Sequence, residues 1–440
     1  MYDVNVKIIS ELKNFITLVA EKKEILNKFR VSDSDFTRSR KLPFRSLILL
    51  ITKLCKKTLS IELEKFFDEM GCSMSCSVSA FTQQRIKLEP AFFYYWNILL
   101  WRCYYFYSGD AVKRWKGYRI IAADGSSISL INNKALSKHF GGQSNQQSNF
   151  VVAKTFFHYD VLNELILLPL IAPYRYGELN MAYDAIDKVE EDMLMIYDRN
   201  FSNYKMVALH LWQEKERKFI IRAKETQNLI KAFIKSGLDS SIVYMQPTPS
   251  AIVGMKKCGF VIDRTILLKV RLVRVELPGS IEVLITNLWE EENHPVTEFK
   301  ALYFMRWGVE TNISVQKNIL QLESFSGLTV VAVLQDFYAT VMMTNLHSIL
   351  IKDAQQTIDS TKTTRKYPMK INKNKSFGKL KVNFVSLFIN NEVHDILAKL
   401  HAHFVRDLIP IRIGRSFTRI RKNKQSKSKY KTFTNFKPAY

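Results

Sequence analysis

The sequence is poor in the features that hold small secreted domains together or fix a chain in a membrane. It has five cysteines, an odd number with no C-x-x-C pair, which argues against a disulfide framework or a zinc ribbon. No apolar run approaches the roughly 18 residues that a membrane-spanning helix needs. The first residues lack the charged and then apolar segments of a secretory signal peptide. We therefore expect a soluble, cytoplasmic protein with free thiols.

Acidic residues are scarce relative to basic ones. The chain has 65 lysines and arginines against 41 aspartates and glutamates, a formal net charge of +24. Residues 360–440 carry 20 basic and 3 acidic side chains, with the densest clusters at 362–381 and 406–437. This excess favours a polyanionic partner, and nucleic acid is the first candidate. A tail that only improves solubility is the alternative.

A chain of 440 residues with 47% hydrophobic content can bury a sizeable core and typically forms two or three domains. Apolar spacing predicts helices through residues 1–112, which we interpret as an N-terminal DNA-binding domain. A helix at 81–88 would follow the serine-rich break at 72–79 and would present glutamine, arginine and lysine on an exposed face. Two interpretations stay open for it: a recognition helix, or an ordinary member of a helical bundle.

From Gly117 the pattern changes to strands and helices in the order β-β-β-α-β-α-β, which predicts a mixed sheet with helices on its faces. The predicted strands are 118–123, 150–159, 165–172, 193–197 and 218–223, and the helices are near 181–191 and 203–214. A strand-rich insertion at about 225–296 has predicted strands at 242–245, 260–262, 266–275 and 281–286. We expect a catalytic domain at 117–350 and a basic, partly disordered C-terminal region at 355–440.

The most informative segment is 303–321, which apolar spacing predicts to be one helix packed inside a domain. At the helical pitch of about 100° per residue, Tyr303, Arg306, Glu310 and Lys317 fall within an arc of about 60°. Charges on a packed helix cost several kcal/mol each unless something neutralises or uses them. The stripe therefore predicts a functional site.

Two aspartates are candidate partners of Glu310. Asp124 and Asp198 each follow a short apolar run, so we expect each to end a buried strand, although Asp124 with Gly125, taken alone, more often indicates a turn. Three carboxylates suit a pair of hard divalent cations such as magnesium, which can cut or exchange phosphodiester bonds. The cationic and phenolic side chains of the stripe would then bind the flanking phosphates.

The spacing of Tyr303, Arg306, Glu310 and Lys317 reproduces the Y-R-E-K signature of the DDE transposases of bacterial insertion sequences, in the branch called insertion-sequence family four. The chain also resembles this family at 123–126, 198–201, 322–327 and 335–339. The resemblance covers about 118–346. It departs at Asn200, where the family usually has glycine, although asparagine tolerates a left-handed backbone better than most residues.

The resemblance implies an α/β fold: a ribonuclease H-like catalytic core with a β-rich insertion, preceded by the helical N-terminal domain and followed by the basic C-terminal region. It implies that Asp124, Asp198 and Glu310 are catalytic and ligate two Mg²⁺ or Mn²⁺ ions per active site. It also implies a homodimer on double-stranded DNA, both terminal inverted repeats and target DNA, near the bacterial nucleoid. Members of this branch commonly pass through a hairpin intermediate.

The residues expected to contact DNA or its phosphates are Tyr303, Arg306, Lys317, Arg199 and Trp289. Trp289 would stack on a flipped base, or would simply be a core tryptophan of the insertion. His139 and His158 are left outside the site, because single histidines near strands usually have structural roles.

Two other functions are compatible with the same residues. One is a non-catalytic protein, a defective or domesticated copy, that only binds terminal repeats. The other is a ribonuclease H-like nuclease that hydrolyses DNA without joining ends, since water and a DNA 3′-hydroxyl are activated by the same metal pair.

Overall fold

The computed structural model describes residues 3–38, 40–73, 75–144, 149–361, 365–412 and 414. The chain divides into two compact units. The helical unit comprises Met1–Ala111, Ile128–Ala153 and Ser314–Tyr440, and the sheet unit comprises Val112–Ser127 and Lys154–Ile313. Within the described ranges, no helix combines the length and the apolar character needed to cross a membrane.

The N-terminal part of the helical unit consists of helices, as the apolar spacing predicts. They are α1 (Asp3–Glu21), α2 (Lys23–Leu26), α3 (Phe44–Thr52), α4 (Leu59–Glu69), α5 (Val78–Arg85) and α6 (Ala91–Ser108). Their core is aromatic: the ring of Phe92 lies 5.3 to 5.8 Å from those of Phe15, Phe29, Phe44 and Trp96. Rings at such distances bury large apolar areas and fix the angles between helices.

The predicted exposed basic face of α5 is wrong at Arg85, which is 1% exposed. Its guanidinium donates to Gln335 Oε1 and Asp336 Oδ1, both at 2.9 Å, and to Ser326 Oγ at 2.8 Å. A recognition helix needs basic side chains that reach base edges in a groove. Arg85 is instead part of a buried ion pair inside the helical unit, so it is not placed to read DNA.

A nine-stranded sheet confirms the mixed α/β class. Its strands are β1 (Arg119–Leu130), β2 (Gly142–Ser144), β3 (Asn149–Asp160), β4 (Leu165–Pro173), β5 (Met193–Tyr197), β6 (Lys218–Arg222), β7 (Ser240–Met245), β8 (Leu268–Leu277) and β9 (Ser280–Thr286). Their order is β2-β3-β1-β5-β6-β9-β8-β7, with β4 beside β3. The pairs β1–β5 and β5–β6 are parallel, and β6–β9, β9–β8 and β8–β7 are antiparallel. All five residues of β5 are buried, as expected for a central parallel strand covered on both faces.

The strands predicted between 118 and 223 are all present, and β5 has the predicted bounds. The predicted strand at 260–262 is wrong, because these residues have irregular backbone and Val261 is 92% exposed. The helices between the strands are α7 (Lys134–Phe140), α8 (Glu178–Asp184), α9 (Tyr204–Leu211), α10 (Asn228–Ser236) and α11 (Pro249–Lys256).

The segment 303–321 is not the single helix that the spacing predicts. It contains the end of α12 (Val296–Phe304), then α13 (Trp307–Ser314) and a π-helical turn at Val315–Ile319. The helix breaks where the N–H groups of Met305 and Arg306 donate to carbonyls three residues back instead of four, at 3.2 and 3.0 Å. Phe304 is 71% exposed, so the segment is not buried all round.

The C-terminal part of the helical unit contains α14 (Val330–Leu350), α15 (Lys352–Ser360), α16 (Lys373–Ile389) and α17 (Val393–Arg406). A small antiparallel pair, β10 (Met369–Ile371) and β11 (Leu408–Pro410), joins this part. Most of the predicted basic cluster 406–437 lies outside the described residues, as do residues 362–364 of the other cluster.

Candidate active site

Three parallel strands of the sheet unit place polar residues in one row. In the registers of β1, β5 and β6, Ala123 pairs with Tyr197, and Tyr197 pairs with Ile221. The next residue on each strand is Asp124, Asp198 and Arg222. Because side chains at equivalent positions of paired parallel strands point to the same face, the row brings two carboxylates and a guanidinium to one edge of the sheet.

The expectation that Asp124 ends its strand is wrong, because β1 continues to Leu130. The parallel ladder with β5 nevertheless stops at the pair before it, so the site is at the end of the pairing and not of the strand. Asp198 does end β5. Its Oδ1 accepts the N–H of Asn200 at 2.7 Å and caps a short 3₁₀ turn, Arg199–Phe201.

Arg306 connects two of the predicted site residues. Its Nη2 lies 2.8 Å from Oε1 of Glu310, and its Nη1 lies 3.7 Å from Oδ2 of Asp124. The guanidinium is 5.0 Å from the ring centroid of Trp307, and the Nε is buried with no hydrogen-bond partner among the described residues. Arg306, at the break between α12 and α13, thus points toward the carboxylates, and its Nε–H donor is not used by them.

The effect of burial and of neighbouring charges is clearest in the pKa of Asp124. The pKa of this carboxyl is raised to about 6, mainly by burial, and the nearby charges of Asp198 and Glu310 contribute to the rise. The Gly125 N–H, which donates to Oδ1 at 2.8 Å, and the Arg306 guanidinium oppose this shift. All three predicted carboxylates therefore belong to one electrostatic cluster, in which the positive charge of Arg306 only partly offsets their negative charges.

Tyr303, on α12, is 7% exposed, and burial raises its pKa to about 12. Near it, Arg222 forms an ion pair with Glu282 of β9 at 2.9 Å. Sequence reasoning missed Arg222, although the signal was present: like both aspartates, it ends a run of buried strand residues. Tyr303 stays protonated at neutral pH and can donate its hydroxyl proton to an anion.

The donor set suits magnesium or manganese in kind, because each of the three side chains offers carboxylate oxygens. The present arrangement is not a closed coordination set: in the part of the chain that is described, no three His, Cys, Asp or Glu side chains are placed to hold one ion. Arg306 lies between Asp124 and Glu310 and takes the place that a cation shared by them would need. An ion could therefore be held by both carboxylates only after this guanidinium moves.

The other predicted contacts lie in different surroundings. Arg199 is exposed directly after Asp198. Trp289 is half-buried, with the Lys269 ammonium 4.9 Å from its ring centroid. Lys317 lies on the π-helical turn in the helical unit and is half-buried. Of the two histidines left out, His139 is exposed, whereas His158 is 2% exposed with a pKa lowered to about 4 by burial.

Residues 115–346, more than half of the chain, match the protein family described as the transposase DDE domain. No curated protein sequence matches the chain. Among solved structures, a chain of the piggyBac transposase synaptic complex with hairpin DNA, determined by cryo-EM, is similar to this one with 12% identity and a TM-score of 0.45. The similarity covers 98% of this chain and 88% of that chain.

Proposed function

This chain belongs to the transposase DDE domain family, and from that premise we propose that it cuts DNA at the ends of an insertion sequence and joins those ends to target DNA. The observation that carries the proposal is the row of Asp124 and Asp198 on paired strands, with Glu310 joined to Asp124 through Arg306. We propose that these three carboxylates are the catalytic residues and the ligands of two Mg²⁺ or Mn²⁺ ions.

The charge of the site supports this assignment. Three carboxylates in mutual electrostatic contact, one with its pKa raised to about 6, form a strong cation site once they are all ionised. Divalent ions bound there would supply the Lewis acidity that activates an attacking oxygen and stabilises the leaving one. The protein side chains orient the DNA: Arg306, released from Glu310, would bind a phosphate beside the scissile bond, and Tyr303 would donate to another phosphate oxygen.

Other DNA contacts extend from this centre. Arg199 is exposed one residue beyond Asp198, a position from which it would reach the same strand. Trp289 and Lys269 together offer an aromatic face beside a cation, which suits an unstacked base and its phosphate. Lys317 completes the Y-R-E-K signature, and we propose that it binds a further phosphate.

We propose the following organisation around the site. The order β4-β3-β1-β5-β6, with parallel pairs β1–β5 and β5–β6, supports a ribonuclease H-like core within 117–350. The strands β7, β8 and β9 would form the β-rich insertion at about 225–296. Residues 1–112 would bind DNA, and the basic region 355–440 would contact phosphates of terminal repeats and target DNA within a homodimer of the insertion-sequence family four branch.

Removing one carboxylate tests the proposal directly. A supercoiled plasmid that carries the ends of the element should be cut by the wild-type chain with Mg²⁺, and Glu310→Ala should abolish cutting while binding of the ends remains. Glu292→Ala, at an exposed position of the same unit, is the matched control and should cut normally. If the wild-type chain binds the ends and never cuts them, the non-catalytic DNA-binding function replaces this one.

Pre-cleaved ends distinguish a transposase from a nuclease. Incubated with a target plasmid and Mg²⁺ or Mn²⁺, they should become covalently joined to it, because a DNA 3′-hydroxyl takes the place of water as the attacking group. Hydrolysis of the DNA without any joined product would favour the nuclease.

A further inference from the structure

A cavity of about 260 Å³ lies inside the helical unit, and none of the three predicted carboxylates lines it. Its wall combines the loop that follows α3, the last residue of the π-helical turn with the two residues after it, and parts of α14 and α16. Its lining residues include Lys53, Lys56, Lys57, Gly378 and Lys381. Four of the lining residues are lysines, and none of the lining residues is acidic.

Three of the four lysines are fixed in place. The Lys53 and Lys381 ammonium groups are held by Glu69 at 2.6 Å and Glu62 at 2.8 Å, two carboxylates that do not line the cavity. The Lys56 Nζ donates to the carbonyls of Gln321 and Ser324, both at 3.0 Å. Ammonium groups ordered in this way lose little side-chain entropy when an anion arrives, which favours binding.

Part of the wall is apolar. Leu54, Leu320, Met343 and Phe377 are each less than 9% exposed in the packed unit, yet all four border the cavity. A wall of this kind beside a row of cations is typical of sites for ligands with an anionic end and a flat or apolar body. Bare inorganic phosphate would use only the cationic half.

Gly378 gives independent support. It is the sixth residue of the 17-residue helix α16, where glycine is less favourable than alanine. A Cβ built on it meets nothing within 4 Å, and its φ is not in the left-handed region, so neither close packing nor backbone conformation requires glycine there. Because Gly378 has no side chain, the cavity stays open at this point.

We propose that this cavity binds the phosphate of a nucleotide, with the sugar or base against the apolar wall. The volume is just below the roughly 300 Å³ at which pockets for drug-sized ligands begin, so it suits a single nucleotide unit and excludes a duplex. The nucleotide could be free, or it could be an unstacked unit of a DNA strand. The proposal does not depend on the carboxylates of the sheet unit.

A cavity-filling substitution tests it. In the full chain, Gly378→Leu places a side chain into open space without removing any lysine, and Gly254→Leu is the matched control, because a Cβ on that helical glycine also meets nothing within 4 Å. Binding of 2′-deoxyadenosine 5′-monophosphate and of a ten-nucleotide single strand is measured by equilibrium dialysis. Thermal unfolding checks that each variant is folded.

We expect Gly378→Leu to weaken binding at least tenfold and Gly254→Leu to leave it unchanged. If Gly378→Leu loses binding of the mononucleotide, the ligand of the cavity is a free nucleotide. If it loses binding of the oligonucleotide alone, the ligand is a nucleotide unit of a DNA strand. Lys57→Glu should weaken binding of the same ligand at least tenfold. Lys65→Glu should leave this binding unchanged, because Lys65 is exposed on α4 and does not line the cavity. Adenosine, which lacks the phosphate, should bind at least tenfold more weakly than the mononucleotide.

Three results would overturn the proposal. The first is that neither ligand binds the wild-type chain at about 1 mM, the weakest affinity that such a site would need. The second is that Gly378→Leu binds both ligands as well as Gly254→Leu does. The third is that Lys57→Glu and Lys65→Glu weaken binding equally, since the effect would then be one of overall charge.

Discussion

The guanidinium of Arg306 is paired with Glu310 at 2.8 Å and reaches Asp124 at 3.7 Å, so a side-chain cation stands between two proposed metal ligands. A divalent ion shared by both carboxylates must displace it, because like charges in a partly buried site repel. Arg306→Gln removes this competitor. We expect it to bind Mn²⁺ several-fold more tightly than wild type in the absence of DNA, and yet to cut DNA more slowly, because the glutamine cannot pair with a phosphate as the guanidinium does.

Electron paramagnetic resonance of free Mn²⁺ in titrations without DNA measures the affinity, and the plasmid assay measures cutting. Arg264→Gln, at an exposed position of the same unit, makes the same charge change and should alter neither. Weaker Mn²⁺ binding in Arg306→Gln would mean that the arginine assembles the site and does not compete for it. Absence of Mn²⁺ binding by wild type would contradict the metal assignment itself.

Asp124 makes stability depend on pH. Burial raises its pKa from an ordinary 3.8 to about 6, so the folded state holds this proton more tightly than the unfolded chain. The resulting stabilisation is complete below pH 4 and is lost as the pH rises through about 6; it amounts to at most about 3 kcal/mol. Asp124→Asn should therefore be more stable than wild type at pH 7, and close to it at pH 4.

Urea unfolding at the two pH values, without divalent ions, provides the measurement. The control is Asp187→Asn, whose side chain is 61% exposed and whose stability should follow wild type at both pH values. Equal stability of Asp124→Asn and wild type at pH 7 would show that burial does not destabilise the ionised carboxylate of Asp124.

The sheet and the carboxylate row are the parts of the structure that the sequence predicts well. A short apolar run such as 193–197 favours a buried central strand, and a polar residue that follows such a run is then expected at the strand end. Local pattern alone therefore places Asp198 after the end of β5, whereas Asp124 lies inside β1, just beyond the point where its pairing with β5 stops. Arg222 follows the same rule, which holds for a basic side chain as well as for a carboxylate.

Long-range pairing is what the sequence could not supply. The helical arc that groups Tyr303 with Arg306 assumes a continuous helix, and the break between α12 and α13 depends on packing that no short window of residues encodes. Arg85 looks like a solvent-exposed base reader because its partners, Gln335 and Asp336, lie 250 and 251 residues away. A charge is predicted to be exposed whenever its partner is distant in sequence.

The basic tail should control the salt dependence of DNA binding. Replacing Lys422, Lys424, Lys427, Lys429 and Lys431 by glutamine removes five positive charges, and the slope of log K against log salt falls by about 0.9 for each phosphate that is no longer neutralised. We expect the magnitude of the slope to fall by up to about 4.5, measured by fluorescence anisotropy with a labelled terminal repeat. As a matched control, the same change at the exposed Lys215, Lys231, Lys235, Lys256 and Lys257 should lower the slope much less. Equal slopes would mean that only net charge matters.

The Arg85–Asp336 pair should be essential for the stability of the helical unit. Arg85→Leu leaves Asp336, which is 5% exposed, without its countercharge, and breaking a buried pair in this way costs about 3 to 5 kcal/mol. Gln83→Leu, on an exposed face of α5, should cost less than about 1 kcal/mol in urea unfolding. The double variant Arg85→Leu with Asp336→Asn should be more stable than the sum of the two single changes, because each removes the other's unpaired charge. Additive losses would show that the arginine acts through packing alone.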